Sequence, residues 1–163
     1  FDSVTAEEFA RISKAVAHIE QFQAEKDETD TDLALVKALD YAPTEIWLTG
    51  VTGGRLDHYE AVLRSVYTLQ QQHPEMTLKV INRFNEIQFL QPGKHVLEKG
   101  VYTYVSFFAY GQTLTNVTLR GVKYETTDEV IEQGTTRFTS NEILCDGSIS
   151  FEGGISLMIK SRD

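Results

Sequence analysis

The chain has 163 residues, 41% of them hydrophobic and 24% charged, an ordinary globular composition long enough for one sizeable core or two small ones. With 15 Lys and Arg against 24 Asp and Glu, the formal charge is −9, which argues against broad nucleic-acid or anionic-membrane binding, since both need a basic surface. One cysteine, Cys145, excludes an intrachain disulfide and is expected to be a buried, inert thiol; no apolar run approaches the ~20 residues of a membrane helix, and the expected location is cytoplasmic.

Residues 5–14 predict a first helix, with Thr5 and Glu8 spaced as a capping box. Residues 17–22 fit either an extension of it or a short strand. A polar run over 23–30 leads into a second helix over 31–39, with Leu33, Val36 and Leu39 at helical spacing. Residues 45–48 form a short apolar strand, which puts Trp47 in the core. A tight loop, Gly50-Val51-Thr52-Gly53-Gly54, precedes a long helix over 55–71 with Leu56, Tyr59, Val62, Leu63, Val66 and Leu69 on one stripe. Residues 78–82 are the next strand. Strand, glycine loop, helix and strand make a βαβ unit, hence a parallel α/β sheet.

After residue 82 the pattern changes. Residues 87–90, 95–97, 101–108, 114–119, 136–138, 143–151 and 155–159 are short runs rich in β-branched and aromatic residues, separated by turn residues such as Pro92-Gly93, Gly121, Gly134 and Gly153-Gly154. This spacing predicts an antiparallel sandwich or barrel. The expected fold is an α/β domain over 1–82 followed by an antiparallel β-sandwich domain over 83–163.

Four groups of residues could carry chemistry. In Thr52-Gly53-Gly54-Arg55-Leu56-Asp57-His58, a glycine turn opens a helix, so backbone N–H groups and the helix dipole can receive a phosphate and Arg55 adds a fixed cationic fork. The P-loop and GxGxxG patterns are both absent. Positions i and i+2 do not face each other on a helix, so an Arg55–Asp57 surface pair is not expected. Lys26-Asp27-Glu28-Thr29-Asp30-Thr31-Asp32 offers hard oxygen ligands suited to Mg²⁺, although Thr29 and Asp32 also fit a capping box. Asp2-Ser3 before the first helix reads alone as an Asx-type turn. Phe138-Thr139-Ser140-Asn141-Glu142 sets small polar groups beside an aromatic, a combination that can orient a heteroaromatic ligand or simply end a strand.

In this order the groups resemble the bacterial thiamine pyrophosphokinase family over essentially the whole chain. Thr52-Gly53-Gly54-Arg55-Leu56-Asp57-His58 resembles its glycine-arginine-aspartate motif, and Lys26-Asp27-Glu28-Thr29-Asp30 its acidic loop. Ser140-Asn141-Glu142, Gly147-Ser148-Ile149-Ser150 and Ile159-Lys160-Ser161-Arg162-Asp163 resemble its C-terminal signature. Phe1-Asp2-Ser3 resembles the tail of a Gly-Asp-Phe-Asp-Ser motif that the family places after an opening α/β portion, so the chain is expected to lack that front and its first aspartate.

The resemblance implies an ATP- and Mg²⁺-dependent transfer of pyrophosphate to the hydroxyl of thiamine, giving thiamine pyrophosphate and AMP. Asp2, Asp27, Asp30 and Asp57 become candidate Mg²⁺ ligands; Lys26, Gly53, Gly54 and Arg55 candidate ATP contacts; Ser140 and Asn141 candidate thiamine contacts. Arg55, Asp30 and Asp57 are the candidate catalytic residues, Asp57 also as an acceptor of the hydroxyl proton. A homodimer is implied, with the active site between the α/β part of one subunit and the β part of the other. The alternatives are another Mg²⁺-dependent nucleotide transferase, or a non-catalytic ligand-binding module.

Overall fold

The computed structural model describes residues 4–17, 19 and 29–163. Helix α1 (Ala6–Ala15) begins with the expected capping box: Glu8 N–H donates to the Thr5 hydroxyl, and Thr5 N–H donates to the Glu8 carboxylate at 2.8 Å. It ends at Val16, so α1 does not continue into 17–22, most of which lies outside the described residues. Helix α2 (Asp30–Leu39) is capped by Thr29 in the same way. Leu35 is its buried residue and Leu39 packs on the same core as expected, while Val36, expected beside them, is 62% exposed.

Strand β1 (Glu45–Leu48) pairs in parallel with β2 (Thr77–Ile81), and α3 (Leu56–Gln72) makes the crossover, as the βαβ reading expects. Val62, Leu63, Val66 and Leu69 of α3 pack on Leu78 and Val80 of β2, with Leu35, Leu48, Ile87, Phe89 and Leu157 in the same core. Leu56, expected on this stripe, is 81% exposed, because it is the first helical residue and precedes the part of α3 that lies on the sheet. Trp47 is 62% exposed, contrary to expectation. The strand alternation gives Ile46 and Leu48 to the helix-covered face, and Trp47 falls on the other face, where Lys79 Nζ sits 5.7 Å from its ring centroid.

The remaining strands are β3 (Asn85–Leu90), β4 (Gly93–Leu97), β5 (Tyr104–Val122), β6 (Thr126–Ile131), β7 (Asn141–Phe151) and β8 (Gly153–Ser161). The hydrogen-bonded order is β1-β2-β3-β8-β5-β7-β4, with β6 also on β5. Sequence periodicity divides β5 into two strands. The chain instead stays extended, and its register against β8 shifts between Tyr110 and Thr115. Its first half lies between β8 and the start of β7 and its second half beside β6 and the end of β7, so one long strand joins both layers of the sandwich. Between the layers lies a second core that includes Leu97, Val105, Phe107, Leu114, Val117, Leu119, Ile131, Ile149 and Phe151. Residues 136–138, expected as a strand, form turns; the strand on that side is β6.

Backbones approach closely where β5 passes β7. A Cβ on Gly147 would stand 2.0 Å from the Arg120 carbonyl oxygen, so a side chain is excluded there. Beyond this crossing, Arg120 faces Ser148 but Val122 faces Ile143, so β7 carries extra residues that bulge from the ladder. Cys145 stands in that bulge and is exposed, which corrects the expectation of a buried thiol.

Candidate functional site

Parallel pairing sets the carboxyl ends of β1 and β2 side by side, the edge where open α/β sheets receive ligands. The glycine turn follows β1 at that edge. Gly53 has φ +91°, a left-handed conformation that L side chains rarely adopt, and neither Gly53 nor Gly54 has an atom within 4 Å of where a Cβ would stand. The loop backbone is therefore open to close approach. Immediately beyond it α3 begins, its N-terminal N–H groups left without a side-chain cap by Arg55.

Arg55 and Asp57 are joined, against expectation. Arg55 Nε donates to Asp57 Oδ1 at 3.1 Å and Nη2 to Oδ2 at 2.5 Å, a two-pronged pair on the surface. The argument that i and i+2 do not meet holds inside a helix, but Arg55 is the extended residue before it (φ −62°, ψ 130°), and its side chain folds over the first turn. The His58 N–H also donates to Asp57 Oδ1 at 3.0 Å. These donors, the Arg55 guanidinium first, hold the Asp57 carboxyl down at about 2. Asp57 is thus an ionised hard-oxygen donor at any physiological pH, and Arg55 a cation already oriented at a helix N-terminus.

Of the acidic group, Lys26 and Asp27 lie outside the described residues, as does Asp2. Asp30 is the first residue of α2. Asp32 closes the capping box, with Thr29 N–H donating to its carboxylate at 2.9 Å, and also accepts a hydrogen bond from the Ser65 hydroxyl of α3. Burial pushes its carboxyl up, but the hydrogen bonds from Ser65 and Thr29 outweigh that and leave it low. This link seats the first turn of α2 against the middle of α3. Asp57 lies eight residues earlier on α3, about 12 Å along its axis. Among the described residues no group of three or more His, Cys, Asp or Glu is gathered to hold a metal ion.

Ser140 and Asn141 stand at the start of β7. Ser140 has φ +56°, and its N–H donates to the Ser106 hydroxyl at 2.9 Å. The buried Asn141 amide is fully engaged with the backbone of Tyr124, donating to its carbonyl at 2.9 Å and accepting from its N–H at 3.0 Å. One row of facing residues, Asn82, Asn85, Ser161, Tyr104 and Glu142, crosses the end of the sheet from β2 to β7. The glycine loop, after β1, and Ser140, before β7, therefore lie at the same end of one sheet, five strand spacings apart, about 24 Å measured along the sheet.

Sequence reasoning did not single out Asn82. Its Nδ2 donates to the Thr52 hydroxyl at 2.9 Å, and its Oδ1 accepts from the N–H groups of Phe84 and Asn85, both at 2.8 Å. An Asn at the start of a two-residue hairpin turn is a recognisable Asx signal, but its reach to Thr52 depends on the parallel pairing of β1 and β2. A polar groove of about 600 Å³ opens on the other face of the sheet. Its Lys79 and Lys160 are paired with Glu45 at 2.8 Å and Glu86 at 3.4 Å, which leaves these two lysines committed rather than offered to a phosphate.

The family model described as the thiamin pyrophosphokinase catalytic domain matches residues 1–78, and that of the thiamin pyrophosphokinase vitamin B1 binding domain matches residues 94–156. The chain is 38% identical over 165 residues to the thiamine pyrophosphokinase of Bacillus subtilis (strain 168), covering 100% of this chain and 76% of the relative. The crystal structure of the Bacillus subtilis thiamine pyrophosphokinase superposes with a TM-score of 0.92 over 100% of this chain and 76% of that one, at 38% identity. That of a thiamin pyrophosphokinase family protein from Enterococcus faecalis gives 0.89 at 33% identity, over 100% of this chain and 77% of the other. Yeast thiamin pyrophosphokinase shares the fold at 14% identity, with a TM-score of 0.74 over 99% of this chain and 67% of that one.

Proposed function

The chain belongs to the thiamine pyrophosphokinase family, and from that premise we propose how its residues divide the transfer of pyrophosphate from ATP to the hydroxyl of thiamine, which yields thiamine pyrophosphate and AMP. The observation that carries the proposal is the open glycine turn at the carboxyl edge of β1 and β2, with Arg55 and Asp57 at the helix start beside it. Residues 1–82 serve ATP and Mg²⁺, and residues 83–163 serve thiamine.

Gly53 and Gly54 let the triphosphate approach the loop backbone, and the N–H groups of α3 face its charge. Arg55 turns from Asp57 to the phosphate oxygens, a shift between two charge-assisted contacts on an exposed side chain. Asp57 at the start of α3, and Asp30 with Asp2 and Asp27 on the α2 side, would be the oxygen donors for Mg²⁺, and Lys26 would add a second cation. When bound, Mg²⁺ would offset negative charge building on the phosphate oxygens and fix their orientation. Even at the ordinary aspartate value a carboxyl is ionised and a weak general base near neutral pH, so the work of Asp57 is electrostatic.

Ser140 presents its side chain to thiamine from an exposed position. Asn141, whose amide is committed to Tyr124, sets the backbone on which Ser140 stands. A separation of about 24 Å along the sheet sets the two halves of the site apart within one protomer. It favours an active site shared between the α/β part of one protomer and the β part of its partner, in a cytoplasmic homodimer. No helix among the described residues is long and apolar enough to cross a membrane.

The test is product analysis with the full-length enzyme, thiamine, ATP and Mg²⁺. Thiamine pyrophosphate and AMP in equal amounts, abolished by a chelator and restored by Mg²⁺, are the expected result. Release of inorganic pyrophosphate with a nucleotidyl product would indicate a different transferase, and activity unaffected by the chelator would remove the metal from the reading.

A further inference from the structure

We propose that Asn82 is a positioning residue for the nucleotide, acting through Thr52 on the glycine turn. The inference rests on the reading that this turn receives ATP. Each polar atom of the Asn82 side chain has a structural partner. Oδ1 gathers the N–H groups of Phe84 and Asn85 and the Asn85 side-chain amide at 3.2 Å, while Nδ2 reaches across to the Thr52 hydroxyl at 2.9 Å. The Asn82 N–H also donates to the Asn85 carbonyl at 2.9 Å, closing the hairpin between β2 and β3.

The far side of that hairpin is held as well. Arg162, just beyond β8, donates from Nε to the Arg83 carbonyl at 2.9 Å and from its N–H to the Phe84 carbonyl at 3.0 Å. The hairpin that carries Asn82 is therefore held by β2, β3 and the end of β8, and the one outward bond of Asn82 goes to the residue before Gly53. Gly53 and Gly54 are exposed and carry no side chain that could pack to fix them. A turn built from such residues has many accessible conformations, and holding it in one reduces the ordering that the nucleotide would otherwise impose on binding. The Asn82–Thr52 bond supplies that constraint without touching thiamine, so its loss acts on ATP affinity.

The test uses steady-state kinetics of the full-length enzyme. Thr52→Val keeps the side-chain shape and leaves the hairpin bonds of Asn82 in place. It is expected to raise KM for ATP about fivefold to tenfold, the worth of one hydrogen bond, with KM for thiamine within about twofold of wild type. Thr52→Ser, which keeps the hydroxyl, restores the ATP value. In an Asn82→Ala background, Thr52→Val adds no further increase. An unchanged KM for ATP in Thr52→Val, an equal rise for both substrates, or failure of Thr52→Ser to restore it would each overturn the inference. Arg55→Ala separates this from the underlying reading. If that variant also leaves KM for ATP unchanged, the turn is not the nucleotide site; if only Arg55→Ala raises it, the site stands and the role of Asn82 does not.

Discussion

At the residue scale, the Arg55–Asp57 pair shows how one backbone position changes what two side chains can do. With Arg55 extended before the helix, a pair that helical spacing forbids becomes a two-pronged ion pair, and Asp57 is held at about 2. The folded carboxyl lies below the ordinary value of 3.8. The stabilising effect of the pair is therefore complete above about pH 4 and is lost as pH falls through about 2. Arg55→Ala should return the Asp57 carboxyl toward 3.8, which a ¹³C NMR titration of the aspartate carboxyls would read; a carboxyl still near 2 would mean that the His58 N–H and the helix start suffice. Asp57→Asn keeps size and loses charge. It is expected to lower kcat by about 100-fold or more with an unchanged circular dichroism spectrum, the scale of losing one preorganised charged group at a phosphoryl centre. Near-normal turnover would take Asp57 out of the mechanism.

At the element scale, the first turn of α2 is set by Asp32, which caps the helix through Thr29 and binds Ser65 on α3. One side chain thus starts the helix and docks it. Asp32→Ala removes both functions and should lower stability by about 1–2 kcal/mol, the range of a lost cap and a polar bond, in a urea titration. The Asp32 carboxyl is depressed in the folded protein, so the difference from wild type should be full above the ordinary aspartate pKa and shrink below it. A constant difference down to strongly acidic pH would show that the ionised form is not what stabilises the contact. Ser65→Ala should give part of the loss. Strand β5 shows the limit of local reading at this scale. Periodicity breaks near Gly111 and suggests two strands, but β8 and the start of β7 on one half and β6 and the end of β7 on the other keep the backbone extended throughout.

At the scale of the whole molecule, a single path of paired strands from β1 to β4 carries both the glycine loop and Ser140 at one end of the sheet. Their separation of about 24 Å along the sheet leads to a prediction about assembly. Protomers carrying Asp57→Asn and protomers carrying Ser140→Arg should each be inactive. Mixed and allowed to exchange, they should regain about a quarter of wild-type activity, since half of the dimers are mixed and each contains one intact site of two. No recovery, with exchange demonstrated by differently tagged protomers, would place the whole site within one chain.

Much of this molecule is written locally. The capping residues Thr5 and Thr29, the βαβ unit, the glycine turn and the change to strands after residue 82 depend on propensity and periodicity, which neighbouring residues alone determine. The motifs that identify the family are likewise short and contiguous. Tertiary structure decided what depends on which strand lies beside which: that Trp47 faces outward, that Cys145 rides on a bulge, that Asn141 is spent on Tyr124, and that Asn82 reaches Thr52. Each of these contacts joins residues far apart in the chain or depends on which face of a strand is covered. The physical reason is that side-chain alternation gives a strand two equivalent faces, and only pairing and packing decide which one becomes the interior.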